Sequence, residues 1–429
     1  MRYQAMNPTA ARYETGQRLR RFELLWETAS AEKKRQVLPL VNQAVMGFFA
    51  GGPSASAKPL DQAILLLGEE KDRTPERRWA MPLIFTTSVQ LADTDVGVEF
   101  RVSRLYETPE KAPENLVVGV GGVGPPLKGD LGEVPVTGFP MTAFTYFAAP
   151  REVSGSVRIA VRGQNLVVER LIALDYAKNL KPRLAALEKS NEPSVVHLLG
   201  ILKKLAAGEP LETDFPGLKL LLDAEAAAKN APLWGQKRPG QFWLTLAKAP
   251  VRLLAPNAAA TGKPLPLVIA LHGAGGSENM FFDTYGAGKL VRLCEQRGWL
   301  LVTLRNGAGL STLPELLAEL NQLYPYDTKR VFLTGHSMGA AMAVQAAQAN
   351  PKTFAAVAVL AGGGSVRSAE GLPPFLVGAG ASDFGKPMAQ SLAKSLKTEC
   401  KIYPDCEHLT VVQDALDDVV RFFEKSGRR

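Results

Sequence analysis

Residues 330–350 read RVFLTGHSMGAAMAVQAAQAN, and the architecture of the C-terminal part of the chain follows from this stretch. An apolar run leads into the G-x-S-x-G pentapeptide Gly335-His336-Ser337-Met338-Gly339, and an alanine-rich segment typical of a helix follows it. A serine at a sharp turn between a strand and a helix holds its hydroxyl above the sheet, and small flanking residues let the backbone turn tightly. The stretch therefore predicts a nucleophilic serine, Ser337, at the end of a strand in an α/β fold.

The sequence around this stretch repeats the alternation of short apolar runs and helical segments. Candidate strands occupy residues 242–246, 251–254, 265–271, 299–304, 331–333, 355–360 and 375–377. Candidate helices occupy residues 284–297, 312–323, 338–349, 386–397 and 409–425. Because strands that alternate with helices indicate a mostly parallel sheet covered by helices, residues 236–429 are predicted to form one α/β domain.

Residues 1–235 show a different pattern and are predicted to form a separate accessory domain. Apolar residues recur at helical spacing over residues 15–70 and again over 175–232. Between these helical regions, residues 96–102 and 157–161 alternate apolar and polar residues, which indicates half-buried strands of an antiparallel sheet. We expect helices plus a small β-sandwich here, joined to the second domain by a linker at residues 230–240, which are rich in Pro, Gly and Lys.

The composition excludes several classes of protein. Of the 429 residues, 46% are apolar and 21% are charged, so the chain is neither disordered nor a coiled coil. It has no apolar run of about 18 residues, which excludes a membrane-spanning helix. Three cysteines are too few for a disulfide scaffold or a multi-cysteine zinc site. The net charge of +8 is spread along the chain without a dense basic block, so no nucleic-acid partner is expected.

The first residues contain no apolar segment typical of a signal peptide. The chain is therefore expected to be either cytoplasmic or the mature form of an exported protein. If the protein is exported, Cys400 and Cys406 are candidates for a disulfide, and free thiols are an equal alternative. The sequence does not indicate an oligomeric state.

A second glycine motif, G-x-G-x-x-G at residues 119–124, is predicted not to bind a dinucleotide. Such a site needs its glycines to open a helix whose N-terminus holds the pyrophosphate. Here Pro125 and Pro126 follow directly, and no parallel strand–helix–strand unit surrounds the motif. The stretch from Gly119 to Pro140 is interpreted as a glycine-rich loop between sandwich strands.

A serine nucleophile needs a base, and His408 is the predicted base for Ser337. The chain order expected for this kind of turn is Ser, then Asp or Glu, then His. His408 is the single histidine after Ser337 among the four in the chain. It lies between a predicted final strand and the final helix, which is a suitable loop. Of the other histidines, His272 is expected to brace a loop, and His197 to lie on a helix face.

The acid that orients His408 is predicted to be Asp383. It follows the apolar run 375–377 through a short glycine-rich segment, so it lies at the carboxyl edge of the sheet, where catalytic groups gather in open α/β folds. Asp405 is the alternative, but its closeness to His408 in sequence is more typical of a turn residue. Glu399 and Glu407 are weaker alternatives.

The oxyanion of a tetrahedral intermediate needs two backbone donors. The residue after the nucleophile, Met338, is predicted to supply one through its amide. The second is assigned to Ala274 in the glycine-rich segment 271–276, with Gly273 and Gly275 as alternatives, because this segment follows the strand at 265–271.

These motifs resemble those of the α/β-hydrolase superfamily over roughly residues 240–429. The similarity is greatest to carboxylesterases of the polyhydroxybutyrate-depolymerase, feruloyl-esterase and dienelactone-hydrolase group. It is carried by LHGAGG at 271–276, GHSMG at 335–339, GAGASD at 378–383 and His408. Dienelactone hydrolases often have a cysteine nucleophile, whereas this chain has Ser337, so a strict dienelactone assignment is disfavoured.

The resemblance implies a serine nucleophile with neither a metal ion nor an organic cofactor. Many lipases insert a helical cap between the strands that correspond to 355–360 and 375–377, and the few residues between these strands leave no room for one here. Residues 1–235 resemble the immunoglobulin-like extensions of some bacterial exported esterases. A site without a cap suits a bulky ester or the end of a polymer chain.

The sequence therefore predicts a serine carboxylester hydrolase that acts through an acyl-enzyme. Short-chain, aryl or feruloyl, and polyester-type esters are the expected substrates, either as small molecules or as polymers. One alternative is a serine peptidase of the prolyl-oligopeptidase type, although residues 1–235 show no propeller repeat. The other is a non-catalytic binding protein that retains a hydrolase fold.

Overall fold

The computed structural model describes residues 8–94, 96–123, 129–145, 151–235 and 237–427. The chain divides into two compact units. We call Met1–Arg18 with Met46–Pro232 the N-terminal unit, and Leu19–Val45 with Leu233–Arg429 the C-terminal unit. The segment Leu19–Val45 thus groups with the C-terminal unit, although the sequence analysis assigned all of residues 1–235 to one domain. The boundary between residues 235 and 236 stays a prediction.

Two long helices begin the described chain and contribute to both units. They are α1 (Pro8–Thr28) and α2 (Ala31–Gly51). The other helices of the N-terminal unit are α3 (Pro53–Leu67), α4 (Pro75–Ala80), α5 (Leu180–Leu187), α6 (Pro193–Ala206) and α7 (Gly217–Ala228). Its strands are β1 (Leu83–Thr87), β2 (Leu91–Asp93), β3 (Val98–Arg104), β4 (Val117–Val123), β5 (Gly129–Pro135), β6 (Met141–Thr145), β7 (Val153–Gly163) and β8 (Leu166–Ala177).

The strands of the N-terminal unit form two sheets around one apolar core. A three-stranded sheet has the order β1-β3-β6, and a five-stranded sheet has the order β2-β8-β7-β4-β5. Phe85 and Phe100 of the first sheet and Val120, Ile159 and Tyr176 of the second belong to the same buried cluster. The pairing of β2 with β8 is parallel, which the alternation pattern did not indicate. The resemblance of this part of the chain to immunoglobulin-like domains stays a prediction.

The prediction of a glycine-rich loop at Gly119–Pro140 was wrong for most of this stretch. Residues 119–123 lie in β4, which pairs with β7 on one side and with β5 on the other. Antiparallel pairing on both sides stabilises a strand whose glycines have little strand propensity of their own. The first five residues of the G-x-G-x-x-G motif therefore lie within a strand rather than at the start of a helix, and Gly124 lies outside the described residues.

In its described residues, the C-terminal unit contains one large sheet and five further α-helices. Its strands are β9 (Gly240–Leu246), β10 (Ala249–Ala255), β11 (Leu265–Leu271), β12 (Leu300–Leu304), β13 (Tyr326–His336), β14 (Ala356–Leu360), β15 (Phe375–Gly380) and β16 (Cys400–Tyr403). Its helices are α8 (Lys289–Arg297), α9 (Leu313–Leu323), α10 (Met338–Ala349), α11 (Lys386–Ser395) and α12 (Thr410–Ser426).

The eight strands of this sheet have the order β16-β15-β14-β13-β11-β12-β10-β9. The pairs β9–β10 and β10–β12 are antiparallel, and the others are parallel. The predicted α/β fold class is therefore confirmed for this part of the chain. Every residue of β12 and β14 is buried, as expected for strands covered by helices on both faces. Because β11, β13, β15 and β16 belong to the parallel part of the sheet, their carboxyl ends meet at one edge of it.

Two local features bear on access to that edge. Residues 361–374, between β14 and β15, contain neither a helix nor a strand, in agreement with the predicted absence of a helical cap. The helix predicted at 284–297 begins only at Lys289, because a π-helical turn at Met280–Thr284 and a short turn at Tyr285–Ala287 precede it. None of the helices in the described part of the chain has the length and apolarity needed to cross a membrane.

The segment Leu19–Val45 packs with the C-terminal unit through buried side chains of α1. Trp26 is fully buried, and its indole Nε1 donates to Asp414 Oδ1 of α12 at 3.3 Å. Glu23 is also buried, and its Oε2 accepts a hydrogen bond from the amide of Gly286 at 3.1 Å. The side-chain Nε2 of Gln413 in turn donates to the Glu23 carbonyl oxygen at 3.0 Å. This part of α1 therefore belongs to the packing of the C-terminal unit.

Substitution of Trp26 by alanine is expected to destabilise the C-terminal unit by about 3–5 kcal/mol, because it opens a cavity in a buried site. The matched control is Leu24→Ala on the same helix, since 52% of Leu24 is exposed, and the expected cost there is within about 0.5 kcal/mol. Denaturant unfolding of both variants measures the difference. Equal stabilities for the two variants would show that the α1 segment is dispensable to the unit.

Candidate active site

Three side chains predicted to act together meet at the carboxyl edge of the large sheet. Ser337 Oγ lies 2.9 Å from His408 Nε2, and His408 Nδ1 lies 2.8 Å from Asp383 Oδ1. Ser337 follows β13, Asp383 follows β15, and His408 follows β16. Asp383 and His408 are buried and Ser337 is partly exposed, so the hydroxyl is the member of the set that faces incoming molecules. These distances are those that a nucleophile, a base and an orienting acid require.

Ser337 has the strained backbone expected of a nucleophile at a strand-to-helix turn. Its φ is 54° and its ψ is −115°, values that a residue with a side chain rarely adopts. The amide of Ser337 donates to the carbonyl oxygen of Leu360 at 2.9 Å, which ties the turn to the neighbouring strand β14. Since strain of this kind costs about 1–3 kcal/mol, it persists only where the surroundings hold it.

Two glycines of the pentapeptide are required by the closeness of the backbone around the turn. A Cβ atom at Gly339 would lie 2.2 Å from the carbonyl oxygen of Leu271 at the end of β11. A Cβ atom at Gly335 would lie 2.1 Å from the carbonyl oxygen of Gly339. Any side chain at either position would therefore force α10 away from the sheet.

We expect Gly339→Ala to destabilise the protein by roughly 1–3 kcal/mol or more, because the added methyl group collides with the backbone of β11. Gly200→Ala is the matched control in helix α6, where a Cβ atom meets nothing within 4 Å; there, alanine is expected to stabilise by roughly 0.5–1 kcal/mol. The midpoints of denaturant unfolding report both effects. If Gly339→Ala is as stable as Gly200→Ala, α10 is not held against β11 as described.

The loop that carries Asp383 is fixed to the loop that carries His408. The amide of Ser382 donates to the carbonyl oxygen of Cys406 at 3.0 Å, and the amide of Gly385 donates to Asp383 Oδ1 at 2.7 Å. A Cβ atom at Gly380 would lie 2.5 Å from the same Cys406 oxygen, which shows how closely the two loops approach. The carboxylate therefore has its position set by backbone contacts as well as by His408.

The alternative acids lie elsewhere and have other partners. Asp405 forms a salt bridge of 3.1 Å with Arg35, a residue of α2 whose side chain is 59% exposed. Glu399 is exposed and directly precedes β16, the strand at one edge of the sheet. Glu407 is buried and accepts hydrogen bonds from the amides of Leu409 and Thr410, at the start of α12. Burial raises the pKa of Glu407. Glu407 thus holds the backbone beside His408, and only Asp383 contacts the imidazole directly.

The two predicted oxyanion donors belong to the start of α10 and to the loop after β11. Met338 is the first residue of α10, so its amide has no acceptor within the helix. Ala274 is exposed in the loop after β11. The adjacent Gly273 lies close to the nucleophile, because a Cβ atom there would be 3.2 Å from Ser337 Cβ. The Gly273 amide itself donates to Tyr285 Oη at 3.2 Å, so it already has a partner. For the second oxyanion donor, this arrangement favours Ala274 or Gly275 over Gly273.

Two further histidines brace the loops of the site. His272 Nε2 accepts from the amide of Asn306 at 2.9 Å, which ties the loop after β11 to the turn after β12. His336 Nε2 lies 2.8 Å from the carbonyl oxygen of His408, and His336 Nδ1 lies 2.7 Å from Tyr285 Oη. Burial lowers the pKa of His336 well below its usual range, and the neighbouring His408 adds to this shift. His336 is therefore a neutral ring. The fourth histidine, His197, lies on α6 of the N-terminal unit.

The sequence analysis missed two aromatic residues of the site. Tyr285 is fully buried between His336 and Phe281, and its part in the site depends on contacts between distant segments. Phe384, directly after Asp383, stacks on the His408 ring with centroids 4.1 Å apart, while 48% of its surface stays exposed. Its place next to the predicted acid is the one signal in the sequence by which Phe384 could have been found.

Among the described residues, the cysteines form neither a disulfide nor part of a metal-binding group. The three cysteines are free thiols, and Cys406 Sγ donates to Asp414 Oδ2 at 2.9 Å. Among the described residues, no group of three or more His, Cys, Asp or Glu side chains has the arrangement of a metal site.

Solved structures with a similar fold include several hydrolases. One is an S-formylglutathione hydrolase from Agrobacterium tumefaciens, with 18% identity and a TM-score of 0.35 over 44% of this chain and 94% of the other. Another is a feruloyl esterase module from Clostridium thermocellum, with 13% identity and a TM-score of 0.38 over 45% and 89%. A third is an S-formylglutathione hydrolase from Staphylococcus aureus, with 14% identity and a TM-score of 0.34 over 41% and 90%. No match was found among curated proteins.

Residues 268–396 match the family model described as the alpha/beta hydrolase family. The matched region begins in β11 and ends just after α11, so it includes Ser337, Asp383 and the loop of Ala274. The eight-stranded sheet and the strand–turn–helix at Ser337 have the arrangement that this family uses to present a nucleophile. The C-terminal part of this chain is therefore an α/β-hydrolase domain.

Proposed function

We propose that the protein is a serine carboxylester hydrolase with Ser337 as nucleophile, His408 as general base and Asp383 as the acid that orients it. The observation that carries this proposal is the chain of hydrogen bonds from Ser337 Oγ through His408 to Asp383, with distances of 2.9 and 2.8 Å. Each contact lies within the range needed for proton transfer or for orientation of an imidazole.

The reaction proceeds through an acyl-enzyme. Ser337 Oγ attacks the ester carbonyl carbon while His408 Nε2 accepts the hydroxyl proton. When the tetrahedral intermediate collapses, the bond to the alkoxy oxygen breaks and His408 returns the proton to the departing alcohol. Water then attacks the acyl-enzyme with His408 again as base, and the carboxylic acid leaves. Asp383 holds the imidazole in the correct tautomer and stabilises its positive charge.

The negative oxygen of each tetrahedral intermediate binds the amides of Met338 and Ala274. Both donors are preorganised, because Met338 begins α10 and Ala274 follows the braced residue Gly273. The N-terminal end of α10 also carries a partial positive charge that favours this oxygen.

Short-chain, aryl or feruloyl, and polyester-type esters are the proposed substrates. The segment 361–374 carries no helix that would act as a cap, and Phe384 presents exposed aromatic surface beside His408. Both features suit an ester with an extended or aromatic group. A panel of p-nitrophenyl, feruloyl and polyester substrates, with dipeptide amides beside them, separates an esterase from a peptidase.

Ser337→Ala is expected to abolish hydrolysis of p-nitrophenyl acetate and labelling by a fluorophosphonate probe, because both require the serine oxygen. Unfolding midpoints of the variant and the parent confirm that both are folded. Full turnover by the variant contradicts the mechanism. A parent protein that neither hydrolyses any ester of the panel nor reacts with the probe is instead a binding protein with a hydrolase fold.

Asp383→Asn is expected to lower kcat by roughly 10³–10⁴-fold, because the amide favours the wrong tautomer of His408. Asp405→Asn is the matched control, since it removes a carboxylate three residues before His408 that pairs only with the exposed Arg35 among the described residues. Its kcat is expected to stay within about twofold of the parent, because exposed ion pairs contribute little. Steady-state kinetics on one aryl ester measure both. A larger loss in the Asp405 variant assigns the acid to Asp405.

A further inference from the structure

Two buried side chains, Tyr285 and His336, join the three loops that surround Ser337. The loop after β11 contributes the Gly273 amide, which donates to Tyr285 Oη at 3.2 Å. Tyr285 Oη lies 2.7 Å from His336 Nδ1, at the end of β13. His336 Nε2 lies 2.8 Å from the carbonyl oxygen of His408, in the loop before α12. We call this series of contacts the Tyr285–His336 link.

The donors and acceptors of the link allow only one arrangement. The Gly273 amide is a donor, so Tyr285 Oη accepts from it and has a single proton to give elsewhere. That proton goes to His336 Nδ1, which leaves the imidazole proton on Nε2. Since the His408 carbonyl is an acceptor, His336 Nε2 donates to it. A neutral His336 ring satisfies every group of the link, in agreement with the lowered pKa of this buried histidine.

The link is rigid because Tyr285 is fixed from several sides. Phe281 and His336 contact its ring edge-on, with centroids 4.9 and 5.1 Å apart respectively. The next residue, Gly286, donates its amide to Glu23 Oε2 of α1. At the other end, a Cβ atom at Gly273 would lie 2.9 Å from His336 Nδ1, so the loop after β11 is in direct contact with the ring. A displacement of Tyr285 would therefore move its neighbours.

We propose that Tyr285 and His336 are positioning residues for the reaction at Ser337, which hold the oxyanion loop and the catalytic base in register with the nucleophile. The inference rests on the proposed function. Through Gly273 the link fixes the adjacent amide of Ala274, and through the His408 carbonyl it fixes the backbone that carries the imidazole. Neither Tyr285 nor His336 takes or gives the proton that is transferred in the reaction.

The effect of breaking the link falls on kcat rather than on KM. Donors to an oxyanion stabilise charge that develops only after attack, and the orientation of the base matters only during proton transfer. A misplacement of about 1 Å at such groups costs about 10²-fold in rate. Ground-state binding of the ester depends on other surfaces and changes little.

The test is Tyr285→Phe, which removes the hydroxyl group and keeps the ring contacts. We expect kcat for p-nitrophenyl acetate to fall about 10- to 100-fold, with KM within about threefold of the parent. The rate constant for fluorophosphonate labelling of Ser337 is expected to fall with kcat, because it needs the same base and oxyanion donors but no particular ester.

Tyr324→Phe is the matched control in the same unit. The hydroxyl of Tyr324, which is also buried, accepts from the amide of Gly235 at 2.6 Å and donates to the carbonyl oxygen of Arg238 at 2.7 Å. Each of the two variants therefore loses two hydrogen bonds of a buried hydroxyl group, but those of Tyr324 lie away from the three loops. A merely structural role of Tyr285 would give the two variants the same effects. We expect a comparable fall in the unfolding midpoint for both variants and an unchanged kcat for Tyr324→Phe.

His336→Gln provides a second, independent break of the link, so that poor folding of one variant leaves the inference testable. It is expected to lower kcat and the labelling rate in the same way. The inference is overturned if Tyr285→Phe and His336→Gln keep kcat and labelling within about twofold of the parent, or if Tyr324→Phe loses as much. If the parent protein is labelled at Ser337 but hydrolyses no ester, the proposed function is wrong and the inference about the Tyr285–His336 link is not affected. The labelling rates of the variants then decide whether the link positions the groups around Ser337.

Discussion

The backbone at Ser337 is the constraint on which the remainder of the site depends. A φ of 54° at a residue with a side chain is unfavourable, and the turn persists because the surrounding backbone leaves no alternative. Helix α10 approaches β11 so closely that only glycine fits at position 339, and the Ser337 amide is bonded to β14. The cost of the strained residue is thus offset by packing across three adjacent strands, and the serine hydroxyl is placed above the sheet.

The side chains of Asp383 and His408 reach Ser337 because the parallel strands before them end at a common edge of the sheet. Asp383 and His408 come from loops that are bonded to each other through Ser382 and Cys406, so the backbones that carry the two side chains are fixed to each other. Asp383 Oδ1 accepts from the Gly385 amide as well as contacting His408 Nδ1, and His408 Nε2 contacts Ser337 Oγ, which limits the freedom of these groups to reorient. The buried Glu407 contributes in the same way, because its carboxylate fixes the start of α12 directly after the base.

A part of the chain outside the matched family region also supports this edge of the sheet. Glu23 and Trp26 of α1 are buried in the C-terminal unit, where they contact Gly286 and Asp414. Gly286 follows Tyr285, and Asp414 accepts from both Trp26 and Cys406. This part of α1 is therefore bonded to the segment that follows Tyr285 and to α12, which begins two residues after His408. The hydrolase domain includes a helix that precedes the first strand of its sheet by about two hundred residues.

Local pattern was enough to predict most strands and helices of residues 236–429, the turn at Ser337, and the three residues Ser337, Asp383 and His408 whose side chains meet there. Those features depend on short stretches such as GHSMG and on the order of residues along the chain, and both can be read directly. The same reasoning failed at residues 119–123, where pairing with two neighbouring strands outweighs the low strand propensity of glycine. It also could not indicate that Tyr285 meets His336, 51 residues away, or that α1 packs with the C-terminal unit. Hydrogen bonds between distant segments depend on how closely folded backbones approach one another, and that approach is a property of the packed molecule rather than of any single stretch of its sequence.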